Sequence, residues 1–437
     1  MTEGPPELHR IGIVGMGYVG LTLAAALARR GFEVHGVDTQ QAVLDSLSRG
    51  RAHIFEPGVE ETFGEWVGRR IFLGPDLPDG GVDAAVVCVS TPVDETGHEP
   101  RLGNLAAAAE HIAKRCSPDT LVVVRSTVPV GATRSVVLPR LVDAWGSARL
   151  VMAPERTIQG QALRELVELP QVVGGLDDES LRLGLALFGR LTDRVVPVSN
   201  LETAELVKLA NNCHTDVIYS YGNEVAGLTE RLGLDPLEVI RAANLDYPRP
   251  DLARPGYVGG GCLSKDPYIL LSVAGRVGRE LPLVGAARKV NEDLPRHVAE
   301  RVVELMGARP GDALLVLGWA YKGRPATDDM RGTPIASMTP VFADAGLRVL
   351  GHDPLVDAGV IRRYGGEPVD LAAGFAAADA VLVITDHREY QDLDVDALLP
   401  GSGIRLLYDS WRLLEPDRVT RHGVRYAALG YEPGAAR

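Results

Sequence analysis

No apolar run in the 437 residues approaches the roughly 20 that a membrane helix needs, and the opening MTEGPPELHR lacks the basic start and apolar centre of a secretory leader. The expected location is therefore the cytoplasm. Cysteine is scarce. Cys88, Cys116, Cys213 and Cys262 form no CxxC pair and no cluster with histidine, which argues against a disulfide framework and against a metal site. Positive charge is short as well: 45 Lys and Arg against 58 Asp and Glu leave a net charge of −13, which argues against a nucleic-acid partner. With 46% hydrophobic and 24% charged residues, no tract reads as disordered. Single cores rarely grow past roughly 250–300 residues, so the chain should fold as two or three domains.

The first strong signal is RIGIVGMGYVGLTLAAALARRGFEVHGVD, residues 10–38. An apolar strand ends in Gly15-Met16-Gly17-Tyr18-Val19-Gly20, an Ala/Leu-rich helix follows, Gly31 closes it, and a second strand ends at Asp38. This is the order a dinucleotide fingerprint requires. Gly15 permits the tight turn, Gly17 lets backbone N–H groups approach a pyrophosphate, and Gly20 allows close packing of helix on strand. Asp38 falls where a carboxylate accepts from ribose hydroxyls and repels a 2′-phosphate, which favours NAD over NADP. Two more strands, VDAAVVCVSTP and TLVVVRSTVPVG, end in Ser90-Thr91-Pro92 and Ser126-Thr127-Val128-Pro129. Ligands in doubly wound sheets lie outside these carboxyl ends, which makes Thr91 and Thr127 candidates. Cys88 reads as core.

Between Pro197 and Pro236 there is no proline, and Leu206, Leu209, Cys213 and Val217 recur at helical spacing. The pattern predicts one long, mostly buried helix, with Lys208 and Asn212 on one face. A lysine beside an apolar stripe more often snorkels to the surface than acts. After about residue 310 the α/β pattern returns, with GLRVLGHDP standing where GFEVHGVD stood, but without GxGxxG. The expected fold is α/β: two Rossmann-like doubly wound domains, 1–199 and 306–437, joined by a long central helix and helical connector, 200–305. Within the connector, Gly259-Gly260-Gly261 leads into Cys262, with Lys265 and Asp266 just beyond. Glycines adopt conformations closed to other residues and let a ligand come close, and a nearby ammonium favours the nucleophilic thiolate. The same stretch is also compatible with a plain turn and a buried cysteine.

Six ordered stretches, GMGYVG (15–20), STVPVG (126–131), APER (153–156), ELVKLANN (205–212), GGGCLSKDP (259–267) and AYKGRPATDDMRGTP (320–334), resemble the nucleotide-sugar 6-dehydrogenase family. The resemblance implies NAD as cofactor and a UDP-sugar as substrate. It also implies oxidation of the sugar C6 alcohol to a uronate through a thiohemiacetal and thioester on Cys262. It further implies Lys208 and Asn212 as donors to the C6 oxygen, Asp266 as a proton relay, and Glu155 and Thr127 at the hydrolytic step. The cofactor set comprises Gly15, Gly17, Tyr18, Val19, Gly20, Asp38, Thr91, Thr127, Lys265 and Arg331. Glu155, Arg156, Lys208, Asn212, Tyr257, Gly259 and Lys322 make up the substrate set. Relatives dimerise through the long helix, so a homodimer or larger assembly is expected.

Pro154-Glu155-Arg156 and Tyr247-Pro248-Arg249 resemble the UDP-N-acetylhexosamine branch more than the UDP-glucose branch, with UDP-N-acetyl-D-mannosamine ahead of UDP-N-acetylglucosamine. Ser264 stands where the family commonly has proline, and EPRLGNL at 99–105 replaces a more usual Pro-Asp-Leu-Ser. The competing readings are a UDP-glucose enzyme, a two-electron hydroxyacid dehydrogenase, which needs no thiol, and a nucleotide-sugar sensor without turnover.

Overall fold

The computed structural model describes residues 8–94, 97–246 and 252–432. The chain divides into two compact units. One comprises the residues up to Asn211 with Tyr268–Glu280, and the other Asn212–Pro267 with everything from Leu281 onward.

The first unit is built on an eight-stranded sheet: β1 (Arg10–Val14), β2 (Glu33–Val37), β3 (Ile71–Gly74), β4 (Ala84–Val87), β5 (Leu121–Val124), β6 (Arg149–Met152), β7 (Gln171–Gly175) and β8 (Val195–Val198). Its order is β3-β2-β1-β4-β5-β6-β7-β8, parallel except where β6 meets β7. Central strands such as AAVV and LVVV are buried along their whole length, as expected of a sheet covered by helices on both faces. The second unit holds a six-stranded parallel sheet: β9 (Ala313–Leu317), β10 (Arg348–His352), β11 (Glu367–Pro368), β12 (Ala380–Val383), β13 (Leu406–Asp409) and β14 (Arg425–Ala427). Its order, β11-β10-β9-β12-β13-β14, repeats that of the first six strands of the other sheet. Both are doubly wound, with the order reversing beside the first strand, and that is where such sheets take ligands.

The expected long helix runs from Leu201 to Leu232 and joins the two α/β bodies. It is not mostly buried, however. Leu206, Tyr219, Tyr221, Leu228 and Leu232 are exposed, while the buried stripe is Ala204, Glu205, Lys208, Leu209, Cys213, Asp216, Ser220 and Asn223. Counting apolar residues at helical spacing missed this because half of the inward positions are polar. Lys208 therefore lies inward and does not snorkel. Among the described residues, no helix is long and apolar enough to cross a membrane.

The turn after the first strand differs between the sheets. In the second unit Trp319, fully buried, lies against Gly351 and Gly366, where a Cβ on Gly351 would sit 2.6 Å from its indole. Truncating so large a buried ring costs about 3–5 kcal/mol. Trp319→Ala is accordingly expected to lower the urea midpoint of the second sheet while leaving NAD affinity unchanged. An unaltered unfolding curve would contradict that role.

Candidate active site

In the first unit the fingerprint glycines do what their spacing predicts. Gly15 adopts φ +98°, and a Cβ on Gly20 would collide with the Gly15 carbonyl oxygen. The helix Tyr18–Arg29 begins at Gly17, which carries no side-chain cap and has open space around its Cα. Its unpaired N–H groups are therefore available to a pyrophosphate. Val19 is half-buried and packs on the first core. Asp38 closes the turn: its carboxylate accepts from Met16 N and Gln40 N, both at 2.9 Å. Thr91 Oγ1 donates to the Thr127 carbonyl at 2.5 Å, pinning together the loops that follow β4 and β5. These residues fit a dinucleotide. The equivalent turn after β9 does not, since Trp319 N and Ala320 N already donate to Asp353, as do Leu355 N and Val356 N.

Sequence reasoning missed Glu56. Buried at 5% exposure, it accepts from the Tyr18 hydroxyl (2.8 Å), Gly160 N (2.6 Å) and Ala162 N (2.8 Å). Burial, then the Glu56 charge, raises the Tyr18 pKa and keeps the phenol neutral. One carboxylate thus ties the first residue of the fingerprint helix to the loop beyond Arg156.

Glu155 is enclosed in the same unit. Arg125 grips it through Nη2 (2.6 Å) and Nε (3.1 Å), while Arg156 N (2.6 Å) and Thr157 N (2.8 Å) fill the other oxygen. Burial works to raise its pKa, but Arg125, the Thr157 N–H and the buried Lys208 outweigh it and hold the carboxyl below the usual range. Arg125, another missed residue, was legible only as a charge at the end of an apolar run. Arg156 reaches the Pro170 carbonyl at 3.3 Å and, with the Asn211 amide oriented to satisfy both its ends, the Asn211 oxygen at 3.2 Å. Glu205 accepts from Gly131 N (2.5 Å) and Thr133 N (2.8 Å), anchoring the STVPVG loop one helical turn before Lys208.

In the second unit Cys262 is an exposed thiol, whereas burial pushes Cys88 and Cys213 up to about 12 and also raises Cys116. Close approach surrounds the three glycines before it, most strictly at Gly259, where the neighbour is main chain. A Cβ on Gly259 would strike the Gly332 carbonyl. On Gly260, at φ +88°, it would lie 2.8 Å from the Tyr321 ring, and on Gly261 2.5 Å from the Arg331 guanidinium. Gly260 N donates to the Arg331 carbonyl at 2.8 Å, and Arg331 pairs with Asp329 at 2.6 Å. Asp266, fully buried, accepts from Asn212 Nδ2 and from Lys265 Nζ at 2.7 Å, so three residues singled out from the sequence are in contact. Lys322 is half-buried with Nζ 5.4 Å from the Tyr321 ring centre. Tyr257 points into the core, its hydroxyl 2.8 Å from Ser410 Oγ. Tyr247-Pro248-Arg249 lie outside the described residues.

Three family models match in order: the UDP-glucose/GDP-mannose dehydrogenase family NAD binding domain at 9–192, its central domain at 202–293 and its UDP binding domain at 315–416. A UDP-N-acetyl-D-mannosamine dehydrogenase of Pyrococcus horikoshii is 30% identical over 423 residues, 94% of this chain and 97% of that protein. The chain belongs to the UDP-glucose/GDP-mannose dehydrogenase family. NAD is its cofactor, and it is an oxidoreductase acting on a nucleotide sugar. A UDP-glucose 6-dehydrogenase of Rhizobium meliloti is 31% identical over 439 residues, 96% of this chain and 99% of that one. The solved UDP-D-ManNAc dehydrogenase of Pyrococcus horikoshii superposes with a TM-score of 0.87 at 29% identity, covering 96% of this chain and 99% of that one.

Iodoacetamide should alkylate Cys262 in the folded protein well before Cys88, Cys116 or Cys213, and faster labelling of any other thiol would contradict its exposure. Because the folded pKa of Glu155 is depressed, its stabilisation is present above the ordinary carboxylate value of about 4.3 and is lost as pH falls through the folded value. Glu155→Gln should therefore be less stable than the parent at neutral pH and lose less on acidification. Parallel stability curves would contradict this.

Proposed function

We propose that the chain oxidises the C6 hydroxymethyl of a UDP-N-acetylhexosamine to the uronate, with UDP-N-acetyl-D-mannosamine its first substrate and UDP-N-acetylglucosamine its second. The observation that carries the reading is Cys262: an exposed thiol on a turn that needs glycine at 259 and 260, in a chain whose other cysteines are buried or half-buried.

Bound NAD supplies the acceptor for two hydrides. In the proposed sequence the C6 alcohol loses a hydride and a proton to become an aldehyde. Cys262 Sγ then bonds to C6 while the carbonyl π pair moves to oxygen, giving a thiohemiacetal. Loss of the second hydride leaves a thioester. Water adds, the C–S bond breaks, and the thiolate returns with the carboxylate. The balance is RCH2OH + 2 NAD⁺ + H2O → RCOO⁻ + 2 NADH + 3 H⁺. Covalent capture retains the aldehyde between the two oxidations.

Lys208 and Asn212 are proposed as donors to the C6 oxygen, where negative charge develops. Removing one such donor typically costs about 2.7–4 kcal/mol. The contacts of Asp266 with Asn212 and Lys265 support a role in orienting that amide and relaying protons. Thr127 is proposed to orient the hydrolytic water. Glu155, with both oxygens occupied and its pKa depressed, suits anchoring the loop that carries Arg156 better than shuttling protons. Arg156, Lys265, Lys322 and Arg331 are proposed for the anionic groups of substrate and cofactor.

Pro154-Glu155-Arg156 and the relatives named for N-acetylated sugars support the sugar assignment. A site built to hydrogen-bond an acetamido group rejects an analogue lacking it. The proposal extends to a cytoplasmic homodimer with no nucleic-acid partner. Exposed Tyr221, Leu228 and Leu232 on the long helix support self-association there.

The test has two arms. With saturating NAD, kcat/KM should be highest for UDP-N-acetyl-D-mannosamine among it, UDP-N-acetylglucosamine, UDP-glucose and GDP-mannose; preference for UDP-glucose would overturn the sugar assignment alone. Cys262→Ser should abolish uronate formation while retaining NAD binding, and near-normal uronate output would sink the nucleophile.

A further inference from the structure

Four polar side chains buried in the second unit take no part in this chemistry. Asp216 and Asn223 on the long helix, and Arg288 and Asn291 on the helix Pro282–Met306, are each 5% exposed or less. Arg288 Nη1 donates to Asp216 Oδ1 at 2.8 Å and to the Leu263 carbonyl at 2.6 Å. Asn291 Nδ2 donates to Asp216 Oδ1 at 2.9 Å and to the Asp216 carbonyl at 3.0 Å, while its oxygen accepts from Asn223 Nδ2 at 3.0 Å. Asn223 also holds both backbone groups of Gly256, donating to the carbonyl (3.0 Å) and accepting from N (2.8 Å). The network begins at Gly256 and ends at Leu263, the residue after Cys262.

Stability does not account for such an arrangement. Desolvating an ion pair costs about what its attraction returns, and well-packed apolar residues of similar volume are often at least as stable. Apolar side chains cannot, however, hold a carbonyl oxygen and a peptide N–H at fixed points. The segment between those points contains three glycines, whose backbone is the least restrained of any residue type.

We propose that Arg288, aligned by Asp216 and Asn291, is a positioning residue for the Cys262 thiol. It fixes the backbone just after the cysteine, while Asn223 fixes the segment at Gly256. The proposal rests on Cys262 acting as the nucleophile.

The test uses full-length Arg288→Met, Arg288→Lys and Asn223→Ser proteins. The measurements are kcat, the KM for NAD, and the pH profile of iodoacetamide alkylation at Cys262, read by peptide mass spectrometry without substrates. Displacing a reacting group by an ångström can cost about 100-fold, so Arg288→Met is expected to lower kcat about 10- to 100-fold. Its KM for NAD stays at the parent value and its Cys262 alkylation profile shifts. Arg288→Lys, still able to donate to the Leu263 carbonyl, recovers part of both. Asn223→Ser leaves no buried charge unpaired and decides the matter if Arg288→Met does not fold; it too should lower kcat and shift the profile. Folded variants with the parent's kcat and profile, or a lowered kcat with an unchanged profile, would overturn the proposal. Activity surviving in Cys262→Ser would instead remove the nucleophile reading on which the proposal stands.

Discussion

Glycine is required at 259 by a backbone contact and at 260 by a positive φ, and the presentation of Cys262 depends on that. A Cβ at 259 would meet the Gly332 carbonyl and one at 260 the Tyr321 ring, so the segment 320–333 could not then lie as it does against the cysteine turn. Two chain segments, joined at residues 260 and 331, are thereby fastened backbone to backbone, through Gly260 N and the Arg331 carbonyl. The thiol of Cys262 stays exposed beside this closed turn.

The two sheets share one strand order and differ in the first turn. After β1 the glycines leave a helix N-terminus uncapped. After β9 Trp319 is buried against Gly351 as Met16 is against Gly36 after β1, but the acid ending the second strand is occupied by four backbone N–H groups. Among the described residues, Asp38 accepts from two. Fold order alone therefore says nothing about which sheet takes a dinucleotide; the turn decides it. The occupied Asp353 carboxylate and the absent GxGxxG express the same difference, one in structure and one in sequence.

Much of the fold was legible because its signals are local. The fingerprint, each copy of the strand pattern that GLRVLGHDP repeats, and the proline-free helix are each read from one continuous stretch of chain. The candidate site was legible where a motif carried it, as with Cys262, Lys208 and the glycine loop, and there the family resemblance supplied the roles. What stayed hidden are pairings across the fold. Arg125 with Glu155, Glu56 with Gly160, and Arg288 with Asp216 join residues 30 to 104 positions apart, and nothing in the spacing announces them. The long helix misled for a related reason. Its inward stripe holds Glu205, Lys208, Asp216 and Asn223, which a search for apolar periodicity assigns to solvent.

The account turns on one chain carrying a sugar from alcohol to acid without releasing the aldehyde. The most direct measurement counts NADH formed per molecule of UDP-N-acetyl-D-mannosamine consumed, with sugar limiting and NAD in excess, while product is identified by mass. Two NADH for each uronate is the predicted result. One NADH with a stable carbonyl product would contradict the covalent mechanism and leave Cys262 without a chemical role.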